Sequence, residues 1–149
     1  MTNNNPSEKK IVDAVVRMFQ RRGIKSFKKE VQFCERCIDI LFLAEKTKNF
    51  FAIEAKVNAP SQAFEQAERY KYVADYVYVA ILKNGSNKTA IRLSKDKDIG
   101  LIFVKRDSLD RYYAETVIEP KPSTYKDIVV ANYVWDVKNN GRTFNGYNK

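Results

Sequence analysis

The sequence predicts an α/β fold, a mixed central sheet of about five strands flanked by helices, in the order α-β-β-β-α-β-(α)-β. Three observations predict it. Residues 37–56 hold two apolar runs of strand length around a wholly polar spacer, Glu-Lys-Thr-Lys-Asn, which reads as a β-hairpin. Residues 50–82 read strand, helix, strand, the pattern of a crossover between parallel strands. Residues 7–22 carry apolar positions at helical spacing, so a helix precedes the sheet.

The 149 residues read as one domain, with no internal repeat or linker, a loose start over residues 1–6 and a loose polar tail over 139–149. Ser7 offers a cap for the first helix, and Gly23 ends it. Along it Glu8, Val12, Val15 and Phe19 fall in one line, which sets Glu8 on the core-facing stripe. An acid there can lean toward a site; equally, the helix dipole favours Glu in a first turn without further reason. Residues 30–34 predict a first strand, and 37–56 the hairpin. Pro60 and the alanines after it predict a helix over 60–74, in which Gln62, Gln66 and Tyr70 share a ridge while Ala63, Ala67 and Ala74 face the sheet. The uninterrupted apolar run 76–82 is a strand buried on both faces. Residues 84–87 form a loop, 88–97 a short helix and 100–104 another buried strand. An edge strand over 112–118 is stopped by Pro120 and Pro122, and a last helix spans 124–138.

Twenty-seven basic and 18 acidic residues leave a net charge of +9, which points to a polyanionic partner, nucleic acid first. The densest basic cluster, Arg21, Arg22, Lys25, Lys28 and Lys29, suits a phosphate backbone, although such clusters are also ordinary solvated surface. No apolar run is long enough to span a membrane and the N-terminus lacks a signal-peptide core, so a cytoplasmic protein without a membrane partner is expected. Histidine is absent altogether. Its absence removes Ser-His-Asp hydrolases, His-dependent nucleases and most catalytic zinc sites. Cys34 and Cys37 form half a zinc site with no second half, and the expectation is two reduced thiols.

The chemistry concentrates in the hairpin. Asp39 interrupts an apolar run, and Glu54 and Lys56 close another. Side chains alternate along a strand, so Glu54 and Lys56 share a face, and neighbouring strands lie about 5 Å apart, close enough for Asp39 to approach Glu54 if the register allows. Two adjacent, partly desolvated carboxylates repel each other unless compensated. Magnesium is the compensation that suits them, with manganese as a substitute, because it takes one or two carboxylates and fills its shell with water and phosphate oxygens. Lys56 would stand beside a water on that ion, holding it or helping to deprotonate it for attack on phosphorus. The alternative is structural ion pairing on an edge, Asp39 with Lys56 or another base and Glu54 with Lys46 or Lys48.

A helix bearing Glu8, a strand bearing Asp39, a strand bearing Glu54-Ala55-Lys56 and a helix bearing Gln66-x-x-x-Tyr70 together resemble the PD-(D/E)XK nuclease superfamily. The layout is similar to the archaeal Holliday-junction resolvases, and the Gln-x-x-x-Tyr helix to RecB-type nucleases, over roughly Glu8 to Val104. The resemblance implies a restriction-endonuclease-like fold and a metal-dependent deoxyribonuclease. It makes Asp39, Glu54, the carbonyl of Ala55 and the helix acid Glu8 metal-site residues, Lys56 the residue that positions or activates water, and Gln66 with Tyr70 the pair that orients the site. Ile38 stands where the superfamily's eponymous proline would be. DNA is the implied partner, and cutting two strands makes a homodimer plausible by analogy. Two other functions compete: a DNA-binding module of the same fold without turnover, and a basic surface for RNA or acidic protein with the carboxylates merely paired.

Overall fold

Six strands form a single mixed sheet whose spatial order follows the chain. The structure is a computed structural model that describes residues 6–136. Helix α1 (Pro6–Arg21) is followed by β1 (Ser26–Phe33), β2 (Arg36–Ala44) and β3 (Asn49–Lys56), an antiparallel meander. Helix α2 (Pro60–Glu68), extended by a 3-10 turn over Arg69–Tyr72, carries the chain to β4 (Tyr76–Leu82), parallel to β3. Helix α3 (Lys88–Lys97) leads to β5 (Gly100–Arg106), parallel to β4, and β6 (Tyr112–Ile118) turns back along β5 before α4 (Ile128–Asp136).

Both faces of the sheet are covered, which explains why β3, β4 and β5 read as unbroken apolar runs. On one face Ile11, Val15 and Phe19 of α1 meet Phe42, Phe51, Ile53, Tyr78 and Ile102. Phe19 stacks on Phe42 with ring centroids 4.4 Å apart and meets Tyr78 edge-on at 5.6 Å. On the other face α2, α3 and α4 cover Leu41, Ala52, Val79, Ile81 and Phe103. The small Ala63 and Ala67 are fully buried there and let α2 approach the sheet closely.

The first hairpin bends where the site will be. Its register runs Lys29 to Ile40 and Val31 to Ile38, leaving Glu30 opposite Asp39. Phe27, Ile40 and Phe42 point to the α1 face, whereas Val31, Phe33 and Ile38 point to the α2 face, so both strands change face across that pair. Regular alternation cannot produce that switch. Glu30 absorbs it with φ of 53°, a left-handed conformation unusual for a residue with a Cβ. The β2–β3 ladder meanwhile runs from Ala44–Asn49 to Ile40–Ile53 and goes no further, so β2 peels away from β3 at Asp39.

Several boundaries differ from those the sequence suggests. The first helix opens at Pro6, whose fixed φ suits a first helical position, so Ser7 lies inside it and is not its cap. The first strand begins at Ser26, not at residue 30, because Lys28 and Lys29 belong to β1. The second helix is α-helical only to Glu68. The sheet has six strands, the edge strand included. The last helix starts at Ile128, where Asp127 caps it by accepting hydrogen bonds from the N–H groups of Val129 and Val130 at 3.0 and 3.1 Å. The expected loose residues 1–5, the tail 139–149 and the end of the last helix lie outside the described residues. No described helix is long and apolar enough to cross a membrane.

Candidate active site

Glu54 is the most buried carboxylate of the sheet, 4% exposed, on the α2 face near the end of β3. A charge there needs donors, and α2 supplies them. The Tyr70 hydroxyl donates to Glu54 Oε1 at 2.5 Å. Gln66 lies one helical turn earlier; with its side-chain amide oriented so that both of its groups find partners, its NH2 donates to Glu54 Oε2 at 2.7 Å and its carbonyl oxygen accepts from Arg36 Nη1 at 3.0 Å. The i, i+4 spacing on α2 is what brings both side chains to one carboxylate. Gln62, the earlier residue of that ridge, is exposed.

Asp39 uses the gap left by the parting strands. Its Oδ2 accepts the backbone N–H of Ala55 at 2.7 Å, a donor that β2 would have satisfied had the ladder continued. Asp39 and Glu54 therefore attach to the same stretch of β3, one through the backbone of Ala55 and the other as its neighbour.

Their electrostatics follow from burial and proximity. Burial pushes Glu54 up to about 8, Asp39's charge adds to it, and the Tyr70 hydrogen bond and Lys56 oppose it. Asp39 is pushed up to about 6, chiefly by burial, with the Ala55 N–H and Lys56 opposing and Glu8 and Glu30 adding to it. Burial and Glu54 together drive the Tyr70 hydroxyl well above the ordinary phenol range. The Tyr70 hydroxyl also lies within donating distance, 3.2 Å, of the Cys37 carbonyl.

Lys56 is half-buried and close enough to stabilise both carboxylates, yet among the described residues it makes no hydrogen bond and no ion pair within 4 Å. Among the described residues the structural pairing that the sequence left open is not found: Asp39 makes no salt bridge there, and neither Lys46 nor Lys48 reaches Glu54, Lys48 lying 3.9 Å from Glu45 instead. Glu8, half-buried in the first turn of α1, acts on Asp39 and Glu54 through its charge. Among the described residues no three His, Cys, Asp or Glu side chains group closely enough to hold an ion by themselves. The groups that could hold an ion are therefore the two carboxylates of Asp39 and Glu54 together with the neighbouring backbone, a donor set that a hard divalent cation would have to complete with water or substrate oxygens.

The basic cluster disperses. Lys28 donates to the Trp135 carbonyl at 2.7 Å and lies over its ring, and Lys29 faces Asp13 at 3.6 Å. Arg22 lies over the Phe19 ring, whereas Arg21 and Lys25 stay exposed at the far end of α1, about 20 Å along the helix from Glu8. Cys34 and Cys37 are exposed thiols outside any disulfide. Arg36, which braces Gln66, went unremarked in the sequence, whereas Glu30, a second candidate acid at the expected strand start, is exposed as that position suggests and lies opposite Asp39. Only the fold shows either placement.

No family model matches the chain, and no curated protein matches it. A protein of unknown function from Silicibacter pomeroyi has a similar structure, with a TM-score of 0.68 at 16% identity over 99% of this chain and 98% of that one. That likeness shows the fold alone. SfsA from Pyrococcus furiosus, in a structure with Ca2+, gives a TM-score of 0.40 at 13% identity over 76% of this chain and 61% of that one, too weak to carry an argument.

Proposed function

We propose that this protein is a divalent-metal-dependent DNA nuclease of the PD-(D/E)XK kind, hydrolysing phosphodiester bonds with magnesium or manganese. The observation that carries the reading is the convergence of Asp39 and Glu54 on one stretch of β3 beside Lys56, with no cation within 4 Å paired to either acid among the described residues. Stability gives no reason to keep two repelling, buried carboxylates together, whereas a cation site does. The donors that would hold the ion are Asp39, Glu54 and the Ala55 carbonyl, with Glu8 adding negative charge from α1. Bound there, it would supply charge neutralisation for the phosphate and a more acidic water.

The chain's own residues do the positioning. Tyr70 and Gln66 fix both oxygens of Glu54, and Ala55 N–H fixes Asp39, so the carboxylates meet the substrate without reorganising. Lys56 directs its ammonium at the attacking water or a phosphate oxygen. As the new oxygen–phosphorus bond forms and the bond from phosphorus to the ester oxygen breaks, the attacking water gives up a proton to solvent and the departing oxygen takes one up from solvent.

A second reading, a DNA-binding module of the same fold without turnover, draws on the absence of a three-carboxylate group among the described residues. Incubation with linear, single-stranded and branched DNA separates the two. Cleavage that needs magnesium or manganese and stops with chelator supports the nuclease; intact DNA of every type, bound in a salt-sensitive way, supports the module.

A further inference from the structure

We propose that the outer face of α1, together with the β5–β6 turn, is a track that binds the phosphate backbone of a DNA strand and leads it toward Asp39 and Glu54. The proposal rests on the nuclease reading only in taking DNA as the polyanion. A cleft of about 570 Å³ lies along this face rather than over the two carboxylates, with Lys10, Arg17, Arg21 and Arg111 in its walls. A second, of about 460 Å³, shares Arg17 and Arg21 and continues to Lys25.

Charge accounting distinguishes this surface from a mixed one. Three acids also line the first cleft, and each is already satisfied. Asp13 is paired by Lys9 at 3.1 Å and Lys29 at 3.6 Å, both outside the lining. Asp107 accepts from Arg111 Nε at 3.1 Å and from the N–H groups of Leu109 and Arg111. Asp110 is held by Arg106 at 3.0 Å. Lys10, Arg17 and Arg21, by contrast, are exposed and have no acidic partner within 4 Å among the described residues. Arg17 donates once, to the Tyr112 carbonyl at 2.9 Å, which fixes its guanidinium at the cleft wall with other N–H groups unspent.

Placement and size fit a strand. Lys10 follows Glu8 by two residues, and Glu8's charge reaches Asp39 and Glu54, so the track starts at the reactive end of the molecule. From Lys10 to Arg21 it runs about 16 Å along the helix, long enough to follow a few successive phosphates of one strand. Tyr113, 41% exposed, stands in the same wall and offers a ring face to an unpaired base.

The test is binding of a fluorescein-labelled single-stranded oligonucleotide to the full chain in chelator, where no cleavage occurs, across a series of salt concentrations. The triple variant Lys10→Ala, Arg17→Ala, Arg21→Ala is expected to lose at least about tenfold in affinity and to lower the salt slope by about 2. A control with the same charge loss on the opposite face of the sheet, Lys88→Ala, Arg92→Ala, Lys95→Ala, is expected to lose less than about threefold. Arg21→Glu alone alters a side chain without a hydrogen bond among the described residues, and is expected to weaken binding even if the triple variant folds poorly. The proposal is overturned if the control loses as much as the α1 variant, if Arg21→Glu and the triple variant bind like the parent, or if polyglutamate of equal charge competes as well as DNA. Binding that depends on α1 in a protein that never cuts DNA would leave the track standing and remove the nuclease.

Discussion

Glu54 costs the folded chain energy unless something charged and positive arrives, and that cost can be read in pH. Unfolded, its carboxyl titrates near 4.5; folded, it is pushed up to about 8, and Asp39 from 3.8 to about 6. Between those limits the folded state holds more protons than the unfolded one, so the pair's stabilising contribution is complete below about pH 4 and is lost as pH rises through 6 and then 8. Urea melts in chelator should therefore show the parent losing stability relative to Glu54→Gln between pH 5 and 8, and millimolar magnesium should restore the parent selectively above pH 7. A parent that gains on Glu54→Gln with rising pH would contradict the burial argument. Lys56 carries a different expectation, because it is bound to nothing among the described residues that its loss would orphan. Lys56→Ala should fold with a midpoint within a few degrees of the parent, yet cut DNA at least about 10²-fold more slowly. A large drop in stability with unchanged cleavage would make it a structural residue.

The elements are where sequence patterning succeeds and where it stops. The apolar runs 76–82 and 100–104 lie where patterning sets them, because strands buried on both faces admit little else, and the half-exposed edge strand 112–118 lies where the sequence predicts it, ahead of Pro120. The hairpin of β2 and β3, which carries Asp39 and Glu54, was legible from its two apolar runs around a polar spacer. The start of β1 was not, since Lys28 and Lys29 read as surface loop and their strand character depends on pairing with Leu41 and Ile40 and on the cover Trp135 gives Lys28. Nor was the change of face at Glu30 and Asp39, which breaks the alternation any strand reading assumes. That bend makes its own prediction. Glu30 holds φ of 53° at an exposed position and adds negative charge beside Asp39. Glu30→Gly should stabilise the protein by about 1 kcal/mol in urea melts, and Glu30→Ala by clearly less, because only glycine relieves the left-handed backbone. Equal effects, or a loss with glycine, would show that the bend is not strained.

For the molecule as a whole, the sheet acts as a frame that brings four separate stretches to one place: the first turn of α1, the bend of β2, the end of β3 and the ridge of α2. Spacing alone shows that Gln66 and Tyr70 share a ridge, but only the packed fold shows that both end on Glu54 and that Arg36 braces the first of them. The net charge of +9 indicated a polyanion, while its distribution emerged only from which cations the fold leaves unpaired. The proposed nuclease activity depends on Asp39 and Glu54 sharing one cation. Calorimetric titration of manganese into the purified protein near pH 7.5 measures that directly. The account predicts one ion per chain, bound with release of protons from the carboxylates, and binding weakened at least about tenfold by either Asp39→Asn or Glu54→Gln. Absence of binding in the parent, or binding that both variants retain at full strength, would contradict it.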